Sequence, residues 1–202
     1  MNLEMKTNMK RLLVTVSGIL LLGSGIGLAT AAEIGSDCMA SFCEALSERL
    51  GFITIGQLTA VLELCMLMFA FVMDRETVGI GSLLSMLLIQ FPVDFVYQSV
   101  PRTENNVICI LYVLAGIVLI SAGAELIVHA ELGMGSYEAF IYSFVYRKGW
   151  KFSNVKYACD SIFLLLTVLL HGHVGVGTIL TYLLIPKCME SASILIRKIR
   201  FE

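Results

Sequence analysis

One short pattern occurs twice, and its spacing constrains the fold more than any other feature. Glu33-Ile34-Gly35-Ser36 closes the first long apolar segment, and Glu131-Leu132-Gly133-Met134 closes another 98 positions later. Between residues 25–51 and 123–149, without gaps, eight of 27 positions are identical. They pair Gly25 with Gly123, Leu28 with Leu126, Ala32 with Ala130, Glu33 with Glu131, Gly35 with Gly133, Phe42 with Phe140, Arg49 with Arg147, and Gly51 with Gly149. After a two-residue slip, Gly79-Ile80-Gly81-Ser82-Leu83-Leu84 matches Gly175-Val176-Gly177-Thr178-Ile179-Leu180. Shared apolar character does not align glycines, a carboxylate and an arginine together, so the chain reads as a duplicated unit.

That unit belongs in a membrane. The 202 residues are 57% hydrophobic and 15% charged, with mean hydropathy +0.85, more apolar surface than a soluble core of this length absorbs. Six apolar segments are long enough, or nearly so, to cross a hydrocarbon core that needs about 20 helical residues. They lie near residues 11–32, 57–73, 79–98, 107–130, 156–172 and 175–196. The expected fold is an all-α membrane protein in a single domain over residues 1–202, with one repeat at about 11–100 and the other at about 107–198. Three spans per repeat is an odd number, so the second copy enters from the opposite side and the halves are inverted.

Cation placement tests that geometry independently. With the N-terminus inside, cytoplasmic segments hold Lys6, Lys10, Arg11, Arg75, Arg147, Lys148, Lys151, Lys156, Arg197, Lys198 and Arg200. Outside segments hold Arg49 and Arg102, a clear positive-inside bias, and both termini are expected in the cytoplasm. Lys6, Lys10, Arg11 and the apolar run before Ala29-Thr30-Ala31 imitate a secretory signal. The end of that run recurs inside the chain, as a removed leader would not, so it is read as the first span.

The first span of each repeat is followed by a stretch too polar to cross. In 35–55, Phe42, Ala45, Leu46 and Leu50 recur at helical spacing among Glu44, Ser47, Glu48 and Arg49. The stretch 135–152 holds the same place in the second half, and each is expected to be an interfacial amphipathic helix. Glycines 18, 23, 25, 27, 116 and 123 suit close helix contact. Gly79, Gly81, Gly175 and Gly177 read as tight turns opening the third and sixth spans. Gly35 and Gly133 read as helix breaks or hinges, with a second reading in which they expose backbone groups to a ligand.

Ionisable groups within spans are the candidate functional residues, because each costs about 2.5–3.5 kcal/mol at a helix centre on insertion scales. Glu63, Asp94, Glu125, Asp160, Lys187 and Glu190 qualify. At about 1.5 Å per residue, Glu63 and Asp94 lie near the face where Glu33 ends the first span. Asp160, Glu190 and Glu131 form the corresponding group near the other face. The expectation is two acidic clusters, one per leaflet, acting as a polar pathway for a cation, a proton or a cationic solute. The plainer reading is that each acid snorkels or pairs and sets helix position. Glu125, with His129 one turn later, lacks a counterpart (Gly27 stands there) and suits a proton-linked site.

Other chemistry finds little support in the sequence. The six cysteines include no C-x-x-C pair, and His171-Gly172-His173 lacks a third metal ligand. No catalytic residue, cofactor or metal is expected, nor any nucleic-acid partner. Ala45-Leu46-Ser47-Glu48-Arg49-Leu50-Gly51, Thr54-Ile55-Gly56-Gln57, Gly175-Val176-Gly177-Thr178 and the repeated Glu-x-Gly resemble the YczE/YyaS/YitT-type bacterial membrane proteins over roughly residues 10–195. That resemblance implies a bacterial inner-membrane protein and assigns no residue a role. The expectation is a small secondary transporter or permease for an unidentified solute or ion, working alone or as a homodimer. The alternative is a non-transporting membrane partner or regulatory subunit of another complex.

Overall fold

The computed structural model describes residues 2–35, 37–53 and 55–196, with backbone only at 2–7, 55–57 and 60. Ser36, Thr54, Arg197, Lys198 and Arg200, which entered the sequence reading, lie outside the described residues, as does the Lys6 side chain. The described chain is helical: α1 Asn2–Ala31, α2 Cys38–Leu50, α3 Ile55–Met73, a 3-10 turn Arg75–Thr77, α4 Ile80–Leu88, α5 Gln90–Ser99, α6 Asn106–His129, α7 Ser136–Lys148, α8 Phe152–Leu169 and α9 Val176–Ile196. Five stretches are long and apolar enough to cross a membrane: Asn8–Ala31, Ile80–Ser99, Asn106–His129, Phe152–Leu169 and Val176–Ile196. The described apolar part of α3, Val61–Met73, is shorter. Their outward faces are apolar. Val72, Phe91, Phe95, Val118, Leu165 and Leu195 are all well exposed, an inside-out surface that requires lipid as solvent.

Pro92 explains why the third apolar segment appears as two helices. It lacks the N–H that would bond the Leu88 carbonyl, and regular helix is interrupted at Ile89 between α4 and α5. Pro186 sits inside α9 without dividing it.

The centre of the molecule is the antiparallel crossing of α1 and α6, the most extensive helix pair. A Cβ on Gly18 would lie 2.8 Å from the Gly123 carbonyl oxygen, and one on Gly25 would lie 2.7 Å from that of Gly116. Gly116 and Gly123 meet Gly25 and Gly18 in return. Without side chains at these points the backbones reach direct contact, where dispersion replaces the hydrophobic force that lipid removes. Gly23 and Gly27 do the same against α5, on Pro92 and the Val93 carbonyl.

α2 and α7 are not interfacial as expected. α2 buries Cys38, Met39, Ser41, Cys43 and Ala45, and α7 buries Ser136, Ala139, Ile141, Tyr142 and Ser143. Each packs into the other half, α2 on α8 and α7 on α3. The repeated phenylalanines mark these contacts: Phe42 lies 5.6 Å from Phe163, and Phe140 lies 5.1 Å from Phe69. Of the apolar face that suggested a membrane surface in α2, Phe42, Ala45 and Leu46 are covered wholly or partly by protein, and Leu50 at its end is exposed.

The Glu-x-Gly pattern makes a second exchange between halves. Glu33 and Glu131 have φ of 54° and 55°, and Gly35 and Gly133 have φ of 111° and 107°. The Gly35 and Gly133 angles lie in a region where a Cβ is strained. The turn presents the Ile34 carbonyl to the Gly177 N–H at 2.8 Å, and the Leu132 carbonyl to the Gly81 N–H at 2.6 Å. Those carbonyls are therefore occupied by protein, not offered to a ligand. Gly175 and Gly79 pass so close to the same carbonyls that a Cβ would overlap them. Gly79→Ala and Gly175→Ala should each cost about 1–3 kcal/mol by overpacking, a fall of several degrees in melting temperature in detergent. Unchanged melting in both variants would refute this docking.

Candidate functional site

α2 and α7 enter the bundle N-terminus first, and both N-termini face one central cavity of about 90 Å³. Asp37 caps α2 by accepting from the Met39 N–H at 2.9 Å. Glu138 lies in the first turn of α7, with its Oε2 against Gly135. Carboxylates at these positions are favoured by the positive end of the helix dipole. α3 contributes Glu63, and α8 contributes Lys156 and Asp160. Lys156 is the one Lys, Arg or His among the cavity's described lining, against four carboxylates.

Lys156 and Asp160 are 6% and 2% exposed, so they must be paired to be tolerated. The Lys156 Nζ lies 3.1 Å from Asp160 Oδ2 and 3.3 Å from Oδ1, one helical turn away. It also stands 4.5 Å from the centre of the Tyr137 ring, while the Tyr137 hydroxyl donates to Asp160 Oδ1 at 2.5 Å. Removing one member of such a pair strands the other charge, at about 3–5 kcal/mol. Burial raises the Asp37 and Glu138 carboxyls above their ordinary values, and the Lys156 charge opposes this at both.

Above and below lie two larger depressions, of about 630 and 440 Å³. The first holds Glu33, Gly35, Glu44, Tyr97 and His173, and the second holds Glu125, His129, Glu131, Gly133 and Tyr142. Glu33 pairs with Arg102 at 3.0 Å, and Glu131 with Arg11 at 2.8 Å, both pairs well exposed. Glu125 is 4% exposed, and the Tyr142 hydroxyl donates to it at 3.4 Å. Among the described residues no group of three or more His, Cys, Asp or Glu is arranged to hold a metal ion.

The sequence-predicted acids are thus redistributed. Glu63 and Asp160, expected in opposite leaflets, line the same cavity. Glu33 and Glu131 lie at separate depressions, with Glu125 and His129 beside Glu131. Asp94 is exposed on α5 and lines none of the three spaces, and exposed Glu190 accepts from the Ser153 hydroxyl at 2.6 Å. Gly79 and Gly81 dock on Leu132 and Gly133, and Gly175 and Gly177 on Ile34 and Gly35.

Asp37, Ser136, Tyr137, Glu138 and Lys156 were missed. Lys156 was counted as a cytoplasmic flank of the fifth span, though it lies on the cavity wall; removing it leaves the cation asymmetry in the same sense. Two signals were available: the i, i+4 spacing of Lys156 and Asp160, and Asp37 in N-cap position before a helical pattern.

Residues 9–193 match the profile of a family described as "Family of unknown function (DUF6198)". The chain is also 27% identical over 169 residues to a Bacillus subtilis (strain 168) protein named "Uncharacterized membrane protein YczE", covering 83% of this chain and 78% of that one. No solved structure matches. The chain belongs to the DUF6198 family and is a membrane protein of the YczE type that its sequence resembles.

Proposed function

We propose that this protein is a small secondary transporter of the bacterial inner membrane, with six crossing helices in two inverted three-helix repeats and both termini cytoplasmic. The observation that carries the reading is the central cavity, whose walls come from corresponding positions of the two halves. Leu22 faces Ile120 in this sense, Cys38 Ser136, Ser85 Thr181, and Ile89 Ile185. A binding space on the repeat axis, with one depression toward each end, is what alternating access by rocking of two halves requires. The matched φ angles at Glu33/Glu131, Gly35/Gly133 and Gly51/Gly149 support the two-fold relation. α3, 19 residues from Ile55 to Met73, serves as the sixth crossing.

The exposed Arg102–Glu33 and Arg11–Glu131 pairs suit gates, since each is worth only about 0–1 kcal/mol and opens cheaply. A homodimer would thicken the thin wall of a 3+3 bundle; the mass of the detergent-solubilised particle by light scattering tests it.

In liposomes, the purified protein should move a cationic solute or protons down an imposed gradient. Glu63→Gln and Asp160→Asn should each slow this by about tenfold or more, the loss of one charged interaction of at least about 1.4 kcal/mol. Asp94→Asn should leave it unchanged. If no solute or ion moves under any gradient, the transporter reading fails and the non-transporting partner takes its place.

Proton coupling has its own signature. Asp37 and Glu138 face Cys38, Glu63, Tyr137, Lys156, Asp160 and Tyr182 around the cavity. Because burial raises both carboxyls above 3.8 and 4.5, their protonated forms stabilise the fold below those values. That contribution is lost as pH rises through the raised values. The empty protein should therefore melt lower as pH rises above about 4, and Asp37→Asn with Glu138→Gln should flatten the curve. A melting temperature independent of pH in the unmodified protein would remove the coupling.

A further inference from the structure

The cavity holds one polar group whose bonding the protein leaves incomplete. Ser136 opens α7, is 5% exposed and lines the cavity, and its Oγ has no hydrogen-bond partner. Among the described residues it is the one buried side-chain oxygen or nitrogen in that state. A buried hydroxyl without a partner costs about 1–3 kcal/mol, a cost that a bound molecule with a hydrogen-bonding group would remove.

The surroundings define that molecule. Asp160 is neutralised by Lys156, and the α2 and α7 N-termini are occupied by Asp37 and Glu138, so no positive feature is left for an anion. With its four carboxylates ionised and about half a charge counted for each helix end, the cavity carries close to two negative charges, and Glu63 has no cationic partner within ion-pairing distance among the described residues. A space of about 90 Å³ is several times the roughly 10–15 Å³ that admits a single water, so it takes a small molecule. The remaining wall is aliphatic and thioether, including Leu22, Ile120, Met86 and Met189. Such a wall solvates a hydrated inorganic ion poorly and a short carbon chain well.

We propose that this cavity binds a compact organic monocation bearing N–H groups, of the guanidinium and short alkylammonium class. Its N–H donors go to Glu63 and the Ser136 oxygen, and its carbon faces the aliphatic wall. The proposal rests on the transporter reading for its biological sense and on the cavity alone for its chemistry. A cation and protons are drawn to the same carboxylates of the cavity wall, so occupancy and protonation compete.

Melting of the detergent-purified full chain is measured with methylammonium, guanidinium, tetramethylammonium, sodium and potassium chlorides at equal millimolar concentrations. Methylammonium and guanidinium should raise the melting temperature saturably by mass action, and the other three should not. Ser136→Ala should weaken binding about five- to tenfold while the empty variant melts no lower than the original, since the unpartnered oxygen is gone. Glu63→Gln should abolish the shift, and if that variant does not fold, Ser136→Ala still decides. An equal shift with sodium or tetramethylammonium, no shift with either N–H cation, or Ser136→Ala binding at full affinity would overturn the proposal. Binding without uptake in liposomes would refute the transporter and leave this inference standing. Uptake of another solute with no cation-induced shift would do the reverse.

Discussion

Everything in this fold depends on backbone meeting backbone at glycine. In lipid there is no hydrophobic force to bring helices together, and each freed carbonyl needs a protein partner. The α1–α6 crossing solves the first problem with Gly18, Gly25, Gly116 and Gly123. The Glu-x-Gly turns solve the second, because the carbonyls of Ile34 and Leu132 are taken by the N–H groups of Gly177 and Gly81. Each half supplies what the other lacks. With α2 on α8 and α7 on α3 as well, neither half could bury its surfaces alone.

This interlocking also explains why charge can be kept at the centre. Turning the chain back after α1 and after α6 sends α2 and α7 inward with their N-termini leading, and those ends stabilise Asp37 and Glu138. Lys156 and Asp160 form a buried pair supported by Tyr137. A pair of that kind adds little net stability, and four carboxylates around one ammonium leave the cavity acidic.

The strain at Glu33 and Glu131 belongs to the same logic. A non-glycine residue with positive φ costs roughly 1–2 kcal/mol, and both glutamates adopt it. Each is held by an arginine from elsewhere in the chain, Arg102 for Glu33 and Arg11 for Glu131. The pairs lie at the two depressions, at the same turns whose carbonyls lock the halves together.

Much of the architecture was legible because it follows from local chemistry. Apolar runs of about 20 residues, the Gly and Pro positions and the identities between halves are properties of the chain itself, and they located the apolar helices, although α1 begins earlier, at Asn2, and the third run is divided into α4 and α5. The residues of the cavity were not legible in the same way. Depth counting assigned Glu63 and Asp160 to opposite leaflets, because it measures position along each helix and not which helices adjoin. Asp37 and Glu138 sit in segments whose amphipathic pattern reads equally well as membrane surface or as protein interface. By itself the sequence determined that the protein is helical and membrane-embedded, and it carries the Glu-x-Gly pattern twice, since burial period, lipid solvation and residue identity are all encoded locally. Only the tertiary structure decided that the two connecting helices fold inward and that Asp37, Glu63, Glu138, Lys156 and Asp160 share one space. That outcome depends on which helix faces each apolar surface is paired with, and pairing between distant segments is set by packing.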